Sequence, residues 1–413
     1  MPERSDVIVI GAGAAGLAAA RLLADAGRRV VVVEARGRIG GRIWTDRAFG
    51  AIPIERGAEF IHGAGVATWD LVRRHGLQTA AVSRWEGRRI ALEDGSLGGG
   101  ALVSARPDLA RLLTLEDAIA SYVGPDLSLA AWLDAQALSP LARRIAELRI
   151  AHASCATPET LSVIDLAEDL RHGDDGGDFR ILAGYDHVCA ALAGGLDVRR
   201  DTAARTVRHS GEGVEVETAR GSLFAKKAIV TLPLALLKRG DVTFDPPLPA
   251  AKLAAIAALA MQPALKLLLC FDAPLWDDAT TFVSGLEPLP VWWTPRPALP
   301  YITGFTTGPR AAALMALGRD AAIDAGVDAL GRLYGVDASR RLIAADLVDW
   351  TGDMWAGGGY SSAPPGTAGI RRALATPVGA LHFAGEATVF GDNPATVHGA
   401  LGSGARAARE ATV

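Results

Sequence analysis

The chain has 413 residues, of which 50% are hydrophobic and 21% charged, and a formal net charge of −4. A length of this order corresponds to about two or three domains, and the apolar share suffices for large buried cores, which excludes a disordered chain. The slightly acidic balance argues against a nucleic-acid surface, which needs a basic face. Arg outnumbers Lys and 47 residues are Gly, so a short Gly motif means little here without its context. Cys155, Cys189 and Cys270 are too few and too widely spaced for a disulfide framework or a zinc site. Met1 to Asp6 runs directly into an apolar segment and reads as no leader peptide. The longest apolar stretch, Leu253 to Phe271, is interrupted by Gln262, Pro263 and Lys266 and does not read as a membrane span. The expectation is a soluble cytoplasmic protein without a metal site, a nucleic-acid partner or a membrane partner; its oligomeric state stays open.

Taken in order, Val7 to Ile10 reads as a strand, Gly11 to Gly16 as a tight turn, and Leu17 to Ala26 as a helix closed by Gly27. Arg29 to Glu34 follows as a second strand, and its run of valines suits burial on both faces of a parallel sheet. Leu109 to Leu170 carries helical spacing broken at Pro125, Pro140 and Pro158. The polar run His172 to Asp178 reads as a surface loop. From Leu196 the period switches to two, with Gly211, Gly213 and Gly221 as turns. Ala228 to Pro233 reads as another buried strand, and Pro246 to Pro249 marks a boundary before an Ala/Leu helix. Leu265 to Phe271 reads as a strand, Ala311 to Leu333 as helix, and Ala380 to Phe383 as a strand before a small-residue helix ending near Ala411.

Gly11, Gly13 and Gly16 have the spacing of a dinucleotide fingerprint. The first permits the turn, the second lets backbone approach a pyrophosphate, and the third lets helix and strand pack closely. Glu34 closes the second strand, placed to accept from ribose hydroxyls. Strand, turn, helix, strand and Glu together make the motif specific, although it does not choose between NAD and FAD. The continuation does: Ala35, Arg36, Arg38, Gly40, Gly41 and Arg42 bring a second glycine pair and three guanidinium groups to the same strand end. That suits the longer FAD pyrophosphate, with Arg38 as the one that reads equally well as solvated.

From here the chain resembles the flavin-containing amine oxidase family, which includes monoamine oxidases, polyamine oxidases and lysine-specific histone demethylases. Arg56 to Gly63 is similar to the GAxWIHG stretch, Gly184 to His187 with the following hairpin to the second FAD segment, and Thr231 to Lys238 to TLPLGVLK. Trp350 to Pro365 resembles the Trp-rich stretch ending in GGxY; His382 to Thr388 and Asn393 to Ala400 resemble the closing flavin motifs. The resemblance implies an α/β fold: a discontinuous Rossmann-type FAD domain from 1–74, 181–242 and 346–413. A mixed α+β substrate domain, partly helical, comes from 75–180 and 243–345.

Lys266 interrupts an apolar strand, where an isolated ammonium is costly and tends to lose its proton; read from the residues alone, it is equally a lysine snorkelling from an edge. In the family it matches the lysine that holds a water against the flavin. Tyr360 matches the aromatic residue facing the substrate amine, and Thr396 stands where monoamine oxidases have a second aromatic. Gly359 replaces the cysteine through which monoamine oxidases attach their flavin, which implies non-covalent FAD. Gly57, Ala58, Glu59 and Phe60 match a stretch along the flavin, Gly385 and Glu386 a helix start near the ribityl–pyrophosphate portion, and Thr396 and Val397 backbone beside the ring. Ala204 matches an adenine-reading position, and Trp355 is a further cofactor candidate. His62, Trp293 and Thr396 are substrate candidates; Trp292 and Trp293 are adjacent on a strand, so at most one faces the site.

The reaction implied is oxidative deamination of a small-molecule amine, a polyamine or another primary or secondary alkylamine, with oxygen as acceptor and hydrogen peroxide as product. Monoamine oxidases carry a membrane anchor beyond the final helix that this sequence does not show. The alternatives are a flavin L-amino-acid oxidase, in which Arg296 or Arg310 grips the substrate carboxylate, and a flavin-bound scaffold without turnover.

Overall fold

The computed structural model describes residues 4–83, 86–92, 97–99, 105–171, 177–285, 287–296 and 298–412. The strand Arg4–Ile10 lies between Val30–Val33 and Gly221–Val230 and runs parallel to both. Asp197–Arg199 extends this parallel set on one side and Leu381–Phe383 on the other. The long strand Gly221–Val230 changes partner along its length. Its first half pairs antiparallel with Gly213–Thr218, while Ala228 to Val230 pair parallel with Leu381–Phe383. Each face of this eight-stranded sheet carries a core. One packs helices Ala14–Asp25, Asp186–Ala193 and Val397–Thr412; the other packs Ala250–Ala258 and Ile370–Ala375.

The first helix begins at Ala14, three residues before its expected start, so Gly16 lies inside it. A Cβ on Gly16 would sit 1.9 Å from the Gly11 carbonyl oxygen, and one on Gly404 would sit 2.1 Å from that of Ala15. Missing side chains therefore let the first helix touch both its own turn and the C-terminal helix. This closeness fixes where the first helix starts.

A second sheet of seven strands centres on Ala264–Phe271, buried at all eight positions between Leu342–Asp349 and Tyr301–Thr307. Leu265, Leu267 and Leu269 face helices Gly308–Ala316 and Arg319–Tyr334, together with Trp292. The opposite parity, which includes Lys266, faces the first domain. The expected single helix 311–333 is two helices, because Gly318 adopts φ 88° between them.

The region 109–171 buries its own apolar core. Its helices Leu129–Asp134 and Pro140–Glu147 are capped by Ser128 and Ser139, whose hydroxyls accept from Ala131 N–H and Ala142 N–H. Pro140 opens its helix, where the missing N–H removes no hydrogen bond. That helix continues into a π-helical turn, Leu148–His152.

Three expectations need correction. Of the expected surface loop, residues 172–176 lie outside the described residues, and Asp178 is buried. It starts strand Asp178–Ile181, which pairs with Ile61–His62 and Thr79–Val82. Strand Thr243–Asp245 pairs with Ala204–Ser210, so the first sheet runs past residue 242. Leu342–Asp349 stays in the second sheet past residue 345. Thr243–Asp245 ends at the Pro246 boundary, and both strands stay with their hydrogen-bond partners.

Candidate active site

A cavity of about 670 Å³ lies between the two sheets and the helical region, within the ordinary size range of ligand sites. The cofactor and substrate candidates of the leading reading line it, except Gly16, which packs behind it, and Arg38.

At one end the walls are backbone. Helix Ala14–Asp25 starts at Gly13 with no side-chain cap and no acidic residue in its first turn. Its first N–H groups therefore have no side-chain acceptor, the arrangement that binds phosphate. A Cβ on Gly13 would meet no protein atom within 4 Å. Glu34 accepts from Ala12 N–H at 2.7 Å and Arg36 N–H at 2.9 Å, which fixes the carboxylate at the strand end with lone pairs to spare. Ala204, Trp355, Gly385, Thr396 and Val397 complete this part. The open Gly13 position and the uncapped helix fit the phosphates of a dinucleotide, with Glu34 placed for a ribose.

The arginines of this end differ from expectation. Arg36 makes a two-bond ion pair with Asp353, at 2.8 and 2.5 Å. Arg42 donates to the Gly359 carbonyl at 2.5 Å and to Glu386 at 3.1 Å. Arg38 is not solvated: it stacks on Trp44 at 4.7 Å, and burial pulls its pKa down to about 10. The guanidinium groups brace the loop, so backbone N–H groups form the cradle's positive surface. Glu386 opens a single 3₁₀ turn, Glu386–Thr388, rather than a long helix, and also accepts from Ser361 N–H and Oγ.

At the other end the walls are side chains. Lys266 is not isolated: its Nζ donates to the Glu55 carbonyl and to Glu59 Oε2, both at 3.0 Å. Glu59 was expected beside the flavin, and it is also the lysine's counter-charge. Its Oε2 accepts from Trp293 Nε1 at 2.8 Å and its Oε1 from Arg180 Nε at 2.9 Å. Burial pushes the Glu59 carboxyl up, but Lys266 and Arg180 outweigh it and hold the pKa below its ordinary value. At the Glu55 carboxyl burial outweighs the hydrogen bonds from Tyr185 and Thr45 and the charge of Lys266, and raises its pKa to about 7.

Tyr360 donates its hydroxyl to the Ala153 carbonyl at 2.5 Å, and burial pushes its pKa well above the ordinary value. A Cβ on Gly359 would lie 2.7 Å from Ala264 Cβ and 2.8 Å from Cys155 Sγ, so the place of a side chain here is already filled. Thr396 accepts from Gly399 N–H at 3.0 Å and donates to the Asn393 carbonyl at 2.8 Å. Its hydroxyl also caps the last helix, so Thr396 borders the cavity with that group already engaged. His62 Nδ1 meets Asp178 at 2.6 Å. Phe60, Phe282, Trp293 and Phe305 form an aromatic group with centroids 5.6 to 6.4 Å apart. Trp292 is fully buried in the opposite core. Burial pulls His152, on the π-turn, down to about 3.

Arg296 is exposed, and Arg310 is exposed and paired with Glu287 at 3.1 Å; neither lines the cavity. Sequence reasoning missed Arg180, Asp353, Ser361, Arg371 and the aromatic partners Phe282 and Phe305. Arg371 sits beside Ser361 and Asp165, supporting Glu386 from behind. For Arg180, Asp353 and Arg371 the one local signal is charge, which an arginine-rich sequence hides; Ser361, Phe282 and Phe305 carry none. Among the described residues no group of acidic, His and Cys side chains could hold a metal ion, and no helix is long and apolar enough to cross a membrane.

Comparison with known proteins gives the same frame. Rice (Oryza sativa subsp. japonica) polyamine oxidase 4 is 30% identical, covering 98% of this chain and 88% of its own length. An Arabidopsis thaliana relative, lysine-specific histone demethylase 1 homolog 3, is 27% identical over 98% of this chain, which spans only 30% of that protein. A structure of putrescine oxidase bound to putrescine shares the fold, with a TM-score of 0.86 and 24% identity over 99% of each chain. The family model for flavin-containing amine oxidoreductases matches residues 14–412. This chain is a member of that family, an α/β enzyme whose cofactor is FAD.

Proposed function

We infer that the protein oxidises a polyamine or another primary or secondary alkylamine, using non-covalently held FAD in a discontinuous domain. The observation that carries this reading is the convergence of Lys266 and Tyr360, from distant segments, on one cavity with the glycine cradle. The filled space at Gly359 supports a flavin without a covalent link. The likeness to a polyamine oxidase, and the fold shared with a putrescine-binding oxidase, favour an alkylamine.

Gly13, the first helix turn and Glu34 would hold the pyrophosphate and a ribose; Gly57, Ala58, Thr396 and Val397 would border the ring. When bound, the flavin would supply the two-electron acceptor for the amine α C–H, with oxygen as the final oxidant and hydrogen peroxide as its product. The chain's own part is position and proton control. Tyr360, fixed through Ala153, and the aromatic group orient an uncharged amine and exclude water. Lys266, fixed by Glu59, presents an ammonium to the cavity, where with a water it moves the proton that turnover requires. The imine leaves and hydrolyses to a carbonyl compound, with ammonia released from a primary amine or a smaller amine from a secondary one.

The two arginines named for the amino-acid oxidase alternative, Arg296 and Arg310, lie away from the cavity. A peroxide assay of the purified flavoprotein tests the reading against spermine, spermidine, putrescine, aromatic monoamines and L-amino acids. Peroxide with a polyamine or alkylamine supports it. Peroxide only with amino acids overturns the substrate class, and no flavin reduction by any of them favours a scaffold.

A further inference from the structure

Glu59 and Lys266 stand 207 positions apart and meet inside the protein. The contact is more than a pair. One carboxylate oxygen takes both the Lys266 ammonium and the Trp293 indole N–H, and the Trp293 ring centre lies 5.0 Å from the same ammonium. The other oxygen takes Arg180, whose guanidinium carbon lies 4.7 Å from the Phe60 ring centre. Two cations therefore share one buried anion, and a hydrogen bond to the Glu55 carbonyl fixes the direction of the lysine.

Few other charges act on this group. The Glu55 carboxyl is engaged by Tyr185 N–H at 2.7 Å and the Thr45 hydroxyl at 2.8 Å. On the flanking strands Phe305 and Val348 stand opposite Lys266. Asp346, two positions along from Val348, is committed to Arg56 and Arg319. A buried cation whose directly bonded counter-charge is removed is strongly disfavoured, and here the loss of Glu59 would also leave Arg180 facing Lys266 without the carboxylate they share.

We propose that Glu59 is a positioning residue that holds the Lys266 ammonium at the cavity wall, with Arg180 competing for the same carboxylate and setting how tightly it holds. This rests on the assignment of Lys266 to proton control. A purely structural Glu59 would make removal of either partner a loss of the same kind. A shared anion instead makes the two removals opposite: without Glu59 the charged lysine is disfavoured, and without Arg180 it is favoured.

The test is the rate at which oxygen reoxidises the reduced flavin, followed across pH on holoenzyme carrying Glu59→Gln, Arg180→Met, Lys266→Met, and the Glu59/Lys266 pair of changes. The pH limb that Lys266→Met abolishes is expected to move down by about 1 unit or more in Glu59→Gln and up in Arg180→Met. Glu59→Gln is expected to add no slowing to Lys266→Met. Shifts in the same direction, or a further slowing in the double variant, overturn the proposal while leaving Lys266 its role. An unchanged Lys266→Met overturns that role and the proposal with it. Where Glu59→Gln does not fold, Arg180→Met decides: an upward shift supports the proposal and an unshifted limb overturns it.

Discussion

The two ends of the cavity are built by different means. The nucleotide end is main chain, short in sequence separation and open: Gly11 to Ala15, Glu34 and the turn at Gly40 and Gly41 meet within one strand–helix–strand unit. The opposite end is side chain, assembled from residues near 59, 180, 266, 293 and 360, and its charges engage one another, two cations on the one Glu59 carboxylate. The difference teaches that holding a cofactor requires groups left unpaired, whereas controlling a proton requires one group paired so that its charge is set. Both needs follow from the low dielectric of the interior.

Substitutions at the glycines should separate packing from binding. Gly16→Ala places a methyl against the Gly11 carbonyl and is expected to cost about 3 kcal/mol, read as a fall in melting temperature with loss of flavin. Gly13→Ala meets no protein atom, so stability should change by about 1 kcal/mol or less while flavin content drops. Equal destabilisation of both would erase the distinction between a packing and a cradle glycine.

At the other end, Gly359→Cys is expected to lose about 2 kcal/mol by overpacking, with partial recovery when Cys155 is also changed to Ala. Wild-type flavin should pass into the supernatant on acid precipitation. Flavin remaining with the precipitate would show a covalent link and refute the argument from Gly359.

His152 and His398 make the acid limb of stability. Burial holds their folded pKa values at about 3 and about 4, below the unfolded value of about 6.5. Their contribution is therefore complete above pH 6.5 and is lost as pH falls toward those values, because the unfolded chain binds the protons first. His152→Asn should flatten the fall in melting temperature between about pH 6.5 and 3. The smallest effect is expected of Arg310→Ala: an exposed pair contributes about 1 kcal/mol or less, and turnover should be unchanged. A large rise in KM would reopen the amino-acid reading.

The nucleotide end was legible because its information is local. Gly11, Gly13, Gly16 and Glu34 identify strand, turn and helix, and their roles follow from backbone chemistry. Trp293 was half legible, since alternation allowed only one of the two tryptophans to face the cavity. The Lys266 environment was not legible. An apolar strand predicts an isolated lysine, and nothing adjacent announces that Glu59 arrives from another segment to pair with it, or that Arg180 shares the same carboxylate. The partners of Arg36 and Arg42 were hidden for the same reason: Asp353, Glu386 and the Gly359 carbonyl lie more than three hundred residues away along the chain. Thr396 shows the remaining limit, because a hydroxyl at a helix start serves the helix before any ligand.

The division of labour between the two ends is tested most directly by one variant, Lys266→Met, measured for both flavin content and flavin reoxidation by oxygen. The account predicts wild-type flavin content with reoxidation slowed by about 100-fold or more, the scale of a lost proton-transfer group. Reoxidation and steady-state turnover at wild-type rates, with flavin fully bound, would contradict it.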